Sequence, residues 1–62
     1  MKLKELREEN NFSQKDVANY LNIKQNTYSQ YETCKRQLPI DALILLAKFY
    51  NVTTDYILGL ED

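Results

Sequence analysis

The stretch SQKDVANYLNIKQNTYSQYE, residues 13–32, decides the fold, because it carries the signals for two short helices joined by a tight turn. Ser13 and Asp16 have the spacing of a capping box, in which each side chain satisfies a free backbone amide at the start of a helix. The helix that follows covers about residues 14–21. Its buried side comprises Val17, Ala18 and Leu21. Asn22 then tolerates the left-handed backbone that a tight turn requires.

The next helix covers about residues 25–33 and has two chemically different faces. Tyr28 and Tyr31 lie three residues apart and share one face, which we predict to be buried in the core. The other face carries uncharged amides and hydroxyls and is called the polar face below; it consists of Gln25, Asn26, Thr27, Ser29 and Gln30. This face is either a binding surface or ordinary solvated surface.

Helical spacing continues on both sides of this stretch. A first helix at residues 2–10 turns Leu3 and Leu6 inward. A fourth helix is expected from Pro39, because proline is favoured at the first position of a helix. The main apolar stripe of the fourth helix is Ile40, Leu43, Ile44, Ala47 and Tyr50, widened by Leu46 and Phe49. Thr53 caps a fifth helix at about residues 54–58, which Gly59 ends. The pattern contains no strand alternation and predicts a compact all-α fold of five helices in one domain, residues 1–62.

The composition limits the classes of function. The chain has 62 residues, one cysteine and no histidine, which leaves no intrachain disulfide and no thiol and imidazole cluster for a metal. It also offers no nucleophile and base constellation, so we expect no enzyme activity. We expect no cofactor, and no small-molecule ligand is evident in the sequence. The longest uncharged apolar run, residues 42–47, is far shorter than the roughly 20 residues of a membrane helix. With no signal-peptide pattern at the start, we expect a cytoplasmic protein.

The charge is unevenly distributed along the chain. The formal net charge is −1, which by itself argues mildly against a nucleic-acid partner. Residues 13–39 nevertheless carry an excess of positive charge, whereas the last third of the chain, which includes Asp62, is acidic. The positive region therefore coincides with the stretch that contains the polar face.

The apolar residues between Gln14 and Thr33 recur with the spacing of a helix-turn-helix. That geometry lays the first helix of the pair across a duplex backbone and projects the exposed face of the second into the major groove. Glutamine and asparagine can bond bidentately to adenine, and serine and threonine reach several base edges. The polar face is therefore interpreted as a surface that binds double-stranded DNA.

The chain resembles the phage-repressor, or XRE-type, helix-turn-helix family of transcriptional regulators over nearly its whole length. The residues that carry the resemblance are Leu6-Arg7, Ser13-Gln14, Val17-Ala18, Leu21-Asn22-Ile23, Ser29, Tyr31-Glu32, Lys35-Arg36, Pro39 and Asp55-Tyr56-Ile57-Leu58-Gly59. The resemblance implies a five-helix domain that binds operator DNA, commonly as a dimer on a two-fold site, and we interpret the protein as a repressor.

The resemblance also implies roles for individual residues. Base reading is expected from Gln25, Asn26, Thr27 and Gln30, and contact with the DNA backbone from Gln14, Lys15, Lys24, Ser29, Lys35 and Arg36. For Thr27 and Ser29, base-edge and phosphate contact both remain open, and Lys15 and Lys24 are equally compatible with ordinary surface positions. Arg7 and Glu32 match a pair that forms a salt bridge between the first and third helices.

Three positions depart from the family pattern. Asn22 and Cys34 stand where the family often has glycine, and a left-handed backbone at Cys34 would cost about 1–2 kcal/mol. Lys24 occupies a capping position that usually holds serine or threonine, so the third helix begins without a side-chain cap.

The surface near the C-terminus is predicted to form a homodimer contact through Tyr50, Tyr56, Leu58 and Leu60. The alternative is that these side chains complete the core of the monomer. A dimer would set its recognition helices about 34 Å apart on a near-palindromic operator. The rival function is a protein-interaction module of the same fold, antitoxin-like or antirepressor-like, with little DNA binding of its own.

Overall fold

The computed structural model describes residues 1–61, so Asp62 and its charge lie outside the described residues. The chain forms five helices and, within the described residues, no strand: α1 (Leu3–Glu9), α2 (Gln14–Leu21), α3 (Gln25–Glu32), α4 (Ile40–Tyr50) and α5 (Thr54–Leu58). The predicted all-α fold is confirmed. The bounds of α2 and α5 are those expected, whereas α1 is one residue shorter at each end and α3 one residue shorter at its end.

Local capping signals start and stop several of these helices. Ser13 and Asp16 form the reciprocal capping box at the start of α2, with the Asp16 amide donating to Ser13 Oγ at 3.0 Å and the Ser13 amide donating to Asp16 Oδ2 at 2.9 Å. Asn22, Asn51 and Gly59 follow α2, α4 and α5 in left-handed conformation, with φ of 59°, 56° and 81°. In this conformation the amide of the next residue donates to a carbonyl of the last turn, which ends each helix: Ile23 to Ala18, Val52 to Ala47 and Leu60 to Asp55.

The core lies where α1, α2, α3, α4 and α5 meet. Its buried side chains are Leu3, Leu6, Val17, Ala18, Tyr28, Tyr31, Leu46, Ala47 and Ile57. The amide of Lys2 donates to the carbonyl of Ile57 at 2.8 Å, which ties the start of the chain to α5. The expected burial of Val17 and Ala18 and of the tyrosine face of α3 is confirmed.

The expected stripe of α4 is wrong in part. Ile40 is 73% exposed and Ile44 43% exposed, whereas Leu46, expected only to widen the stripe, is completely buried. The inward face of α4 therefore runs through Leu43, Leu46, Ala47 and Tyr50. Pro39 precedes the helix as its N-cap residue, with φ −63° and ψ 150°, and does not take the first helical position.

Three aromatic rings join α2 and α4 to the loop before α2. Phe49 stacks on Phe12 with ring centroids 5.2 Å apart and on Tyr20 at 4.1 Å. Such pairs contribute beyond the area that they bury. None of the five helices within residues 1–61 combines the length and the hydrophobicity needed to cross a bilayer.

Candidate nucleic-acid interface

The turn between α2 and α3 fixes which face of α3 points outward. With Asn22 in left-handed conformation, the Ile23 amide donates to the Ala18 carbonyl at 3.0 Å, and Ala18 is small enough to be buried beneath this turn. On the underside of α3, Tyr28 is fully buried and Tyr31 is 6% exposed. Because both anchors lie on one side of a helix of eight residues, the opposite side of α3 faces away from the core.

Four polar residues come together in an open cleft of about 370 Å³ at the start of α2 and α3. They are Gln14, Gln25, Asn26 and Ser29. An α-helix turns about 100° per residue, so Ser29 projects between Gln25 and Asn26. Ser29, expected at the DNA backbone, therefore lines the cleft beside two of the expected base-reading residues.

The other two expected base-reading residues lie outside this cleft. Thr27 and Gln30 are half-buried, and Thr27 lies about 100° beyond Asn26 around the helix, on the flank nearest Tyr31. The Gln30 carbonyl accepts hydrogen bonds from the amides of Lys35 and Arg36, at 2.9 Å and 3.2 Å. Gln30, four residues after Asn26, projects about 40° from it and stays on the same side of α3, whereas Thr27 lies farther round the helix.

The cations expected at the DNA backbone flank α3. Lys15 lies in α2, Lys24 directly precedes α3, and Lys35 and Arg36 follow it; all four are exposed. Within residues 1–61 the ion pair found is that of Arg7 with Glu32, so these four side chains have no carboxylate partner there. Lys24 makes no side-chain cap, as expected.

The Arg7–Glu32 ion pair lies behind the cleft and joins α1 to α3. Arg7 Nε donates to Glu32 Oε2 at 2.6 Å and Arg7 Nη2 to Glu32 Oε1 at 3.2 Å. Arg7 Nη1 donates to the Phe12 carbonyl at 3.0 Å, and Gln14 Nε2 donates to Glu32 Oε1 at 3.1 Å. The Arg7 and Glu32 side chains are 12% and 4% exposed. The hydrogen bond from Gln14 connects this pair to the cleft and had no signal in the sequence.

Burial and hydrogen bonding set the ionisation of this network. Burial disfavours the Glu32 carboxylate, but hydrogen bonds from Arg7 and Gln14 outweigh it and hold the pKa of Glu32 below its usual value. The hydrogen bond to Glu32 raises the pKa of Arg7. Burial, with Glu32 nearby, raises the pKa of Tyr28 and raises that of Tyr50 to about 12. The network therefore holds one carboxylate and one guanidinium, both charged at neutral pH.

The expected dimer residues lie in two different environments. Tyr50 and Tyr56 pack partly against the core, and the Tyr50 hydroxyl is buried. Leu58 and Leu60 are 39% and 74% exposed. The exposed apolar surface at this end of the molecule thus comes from the leucines.

The arrangement of α2 and α3 is that of a helix-turn-helix. The helix-turn-helix family model also matches the sequence, over residues 3–57. The chain belongs to this helix-turn-helix family. The match runs from the first residue of α1 into α5, so it covers all the elements that hold α3 in place. The resemblance stated from the sequence is confirmed.

Relatives of this helix-turn-helix protein have names that refer to transcription. The HTH-type transcriptional regulator ImmR of Bacillus subtilis is 43% identical over 98% of this chain and 48% of its own length. The Cryptic phage CTXphi transcriptional repressor RstR of Vibrio cholerae is 37% identical over 82% of this chain and 46% of its own length. The chain thus spans about half the length of these relatives. No solved structure gives a significant match.

Proposed function

We propose that this helix-turn-helix protein is a sequence-specific transcriptional regulator that binds double-stranded DNA and acts as a repressor, with α3 in the major groove. The observation that carries the proposal is the outward orientation of Gln25 and Asn26, which are exposed while Tyr28 and Tyr31 anchor the opposite side of α3. Amides that are not engaged by their own chain are free to bond base edges. The names of ImmR and RstR support the same function.

The residues around α3 divide into two roles in this proposal. Gln25, Asn26, Thr27 and Gln30 read bases, and Gln25 and Asn26 do so from the cleft. Gln14, Lys15, Lys24, Ser29, Lys35 and Arg36 contact the backbone, with Ser29 also within reach of a base edge because it lies between the cleft pair. The exposed, unpaired cations give a sequence-independent attraction to phosphates, despite the net charge of −1. We also propose that the protein acts in the cytoplasm, the location expected from the sequence.

The test is a selection of random duplexes by the purified protein, followed by sequencing. We expect an enriched near-palindromic motif with half-sites about 34 Å apart. Gln25→Ala and Asn26→Ala should relax base preference at particular positions, each good bidentate contact contributing about 1–3 kcal/mol of discrimination. Asn19→Ala is the matched control, because Asn19 is an exposed amide of α2 outside the cleft. Equal base preferences in all three variants would contradict the base-reading assignment.

The cations provide a separate test. Lys35→Ala and Arg36→Ala should weaken binding to selected and random duplexes alike, and each should reduce the slope of log affinity against log salt by about 0.9. Lys48→Ala, which removes an exposed lysine of α4, is the control and should leave the slope unchanged. The result favours the protein-interaction module over a DNA-binding regulator if the parent enriches no sequence and if its affinity for duplexes hardly changes with salt.

We also propose that the regulator is a homodimer whose contact includes Leu58 and Leu60, with Tyr50 and Tyr56 supporting them from the core side. The exposure of the two leucines supports this assignment. Leu60→Lys should shift the protein toward monomer in sedimentation equilibrium. Ile40→Lys changes an equally exposed apolar residue at the start of α4 and is the control. A parent that is monomeric at every concentration, or equal dissociation of both variants, would contradict this contact.

A further inference from the structure

The amide of Gln14 is held by a carboxylate that belongs to another helix. Gln14 Nε2, at the first position of α2, donates to Glu32 Oε1 at the last position of α3. The Gln14 side chain also lines the cleft with Gln25 and Asn26. A glutamine amide has two N–H donors and one carbonyl acceptor, so this bond leaves one N–H and Oε1 available to a ligand in the cleft.

The partner of Gln14 determines which end of the amide faces the cleft. An ionised carboxylate only accepts hydrogen bonds, so it pairs with the NH₂ end and not with Oε1. The oxygen and nitrogen of a glutamine amide have nearly the same shape, and only the hydrogen-bonding partner distinguishes the two orientations. Glu32 therefore fixes the pattern of donor and acceptor that Gln14 presents.

Glu32 is itself held rigidly enough for this purpose. Two nitrogens of Arg7 donate to its two carboxylate oxygens, and a third Arg7 nitrogen is anchored on the Phe12 carbonyl. Bidentate arginine pairs restrict geometry in a way that a lysine does not. The chain of contacts runs from α1 through Arg7 and Glu32 to Gln14, and it ends at the cleft.

We propose that Glu32 is a positioning residue for DNA recognition, which acts by orienting the Gln14 amide and touches no DNA itself. This inference rests on the proposed function. Gln14, oriented in this way, presents its second N–H and Oε1 to a ligand in the cleft that Gln25 also lines. A role of Glu32 in stability alone would not depend on what stands at position 14.

The experiment is a double-mutant cycle on affinity for the selected duplex, with the parent, Glu32→Gln, Gln14→Ala and the double variant. Glutamine keeps the size of Glu32 but can present either NH₂ or oxygen to Gln14. We expect Glu32→Gln to weaken binding about 2- to 10-fold when Gln14 is present, the range for loss of one oriented hydrogen bond, and by less than about 2-fold in the Gln14→Ala background. All affinities are measured at a temperature at which circular dichroism finds every variant folded.

A second measurement needs no DNA. In the free parent, the side-chain amide of Gln14 should give one pair of NMR resonances shifted from those of the exposed Gln25, and Glu32→Gln should move them to the solvated position. Equal loss of affinity in both backgrounds, or unshifted resonances in the parent, would overturn the inference while the proposed function stands. A parent that binds no duplex at all overturns the proposed function instead.

Discussion

Replacement of Cys34 by glycine should stabilise the protein. Cys34 has φ 61°, in the left-handed region, and the other non-glycine residues with positive φ within residues 1–61 are all asparagine: Asn11, Asn22 and Asn51. Asparagine tolerates this conformation, whereas an ordinary side chain costs about 1–2 kcal/mol. Cys34 is exposed, so its removal loses little burial. Glycine makes the unfolded chain more flexible, which costs about 0.4–1 kcal/mol.

The midpoints of these two ranges give a net stabilisation of about 0.8 kcal/mol, which corresponds to a rise in Tm of roughly 3–6 °C for a domain of this size. The hydrogen bonds of the turn involve backbone atoms only, since the Cys34 amide donates to the Tyr31 carbonyl and the Lys35 amide to the Gln30 carbonyl, and both persist with glycine. The assay is thermal unfolding followed by circular dichroism, with reductant present so that the thiol does not cross-link two chains.

The control is Cys34→Ala, which removes the thiol but keeps Cβ and with it the left-handed strain. Its Tm should stay close to that of the parent. Asn51→Gly tests the same conformation at the end of α4 and should raise Tm less, since asparagine is less strained there. The reasoning is refuted if Cys34→Gly lowers Tm, or if Cys34→Ala raises it by the same amount.

Other predictions concern the ion pair and α4. Glu32→Ala leaves Arg7 without its partner and should cost roughly 3–5 kcal/mol, whereas Glu9→Ala, at an exposed position, should cost less than about 0.5 kcal/mol; equal Tm values would remove the pair from the account. Because the folded pKa of Glu32 lies below its unfolded value of 4.5, its contribution is present above pH 4.5 and lost as pH falls through the folded pKa. The parent should therefore lose stability more steeply than Glu32→Gln below pH 4.5, and parallel Tm curves would contradict this. In urea unfolding, Leu46→Ala should cost about 2–5 kcal/mol and Ile40→Ala less than about 1 kcal/mol, and similar costs would contradict the orientation of α4.

The α2–α3 pair could be predicted from sequence because its signals are local and agree with one another. The capping box lies within four consecutive residues, and the turn needs a residue tolerant of left-handed backbone, which Asn22 supplies. Tyr28 and Tyr31 are the bulky apolar residues of α3, so nothing else in that helix competes for the buried side. When propensity, capping and periodicity indicate the same structure, an isolated sequence is enough.

The orientation of α4 could not be predicted in the same way. Residues 42–47 are all apolar, so a helix through them can turn almost any side inward without burying a charge. Periodicity identifies a buried face only when polar residues mark the opposite one. Packing against α5 and the rest of the core decides the matter by burying Leu46 and leaving Ile40 in solvent. The signal for that choice lies in other helices and not in the sequence of α4 itself.

The candidate interface contains one feature that local sequence signals predict and one that depends on a contact between helices. The outward direction of Gln25 and Asn26 follows from their own helix, because the tyrosines fix its underside. What Gln14 can offer to a ligand follows instead from Glu32, 18 positions away in the chain, and through it from Arg7. A pattern along one helix cannot reveal a hydrogen bond between two. The residue that supports the fold by pairing with Arg7 is thus the same residue that orients an amide of the cleft, so stability and recognition have to be measured together at Glu32 and separated by varying Gln14.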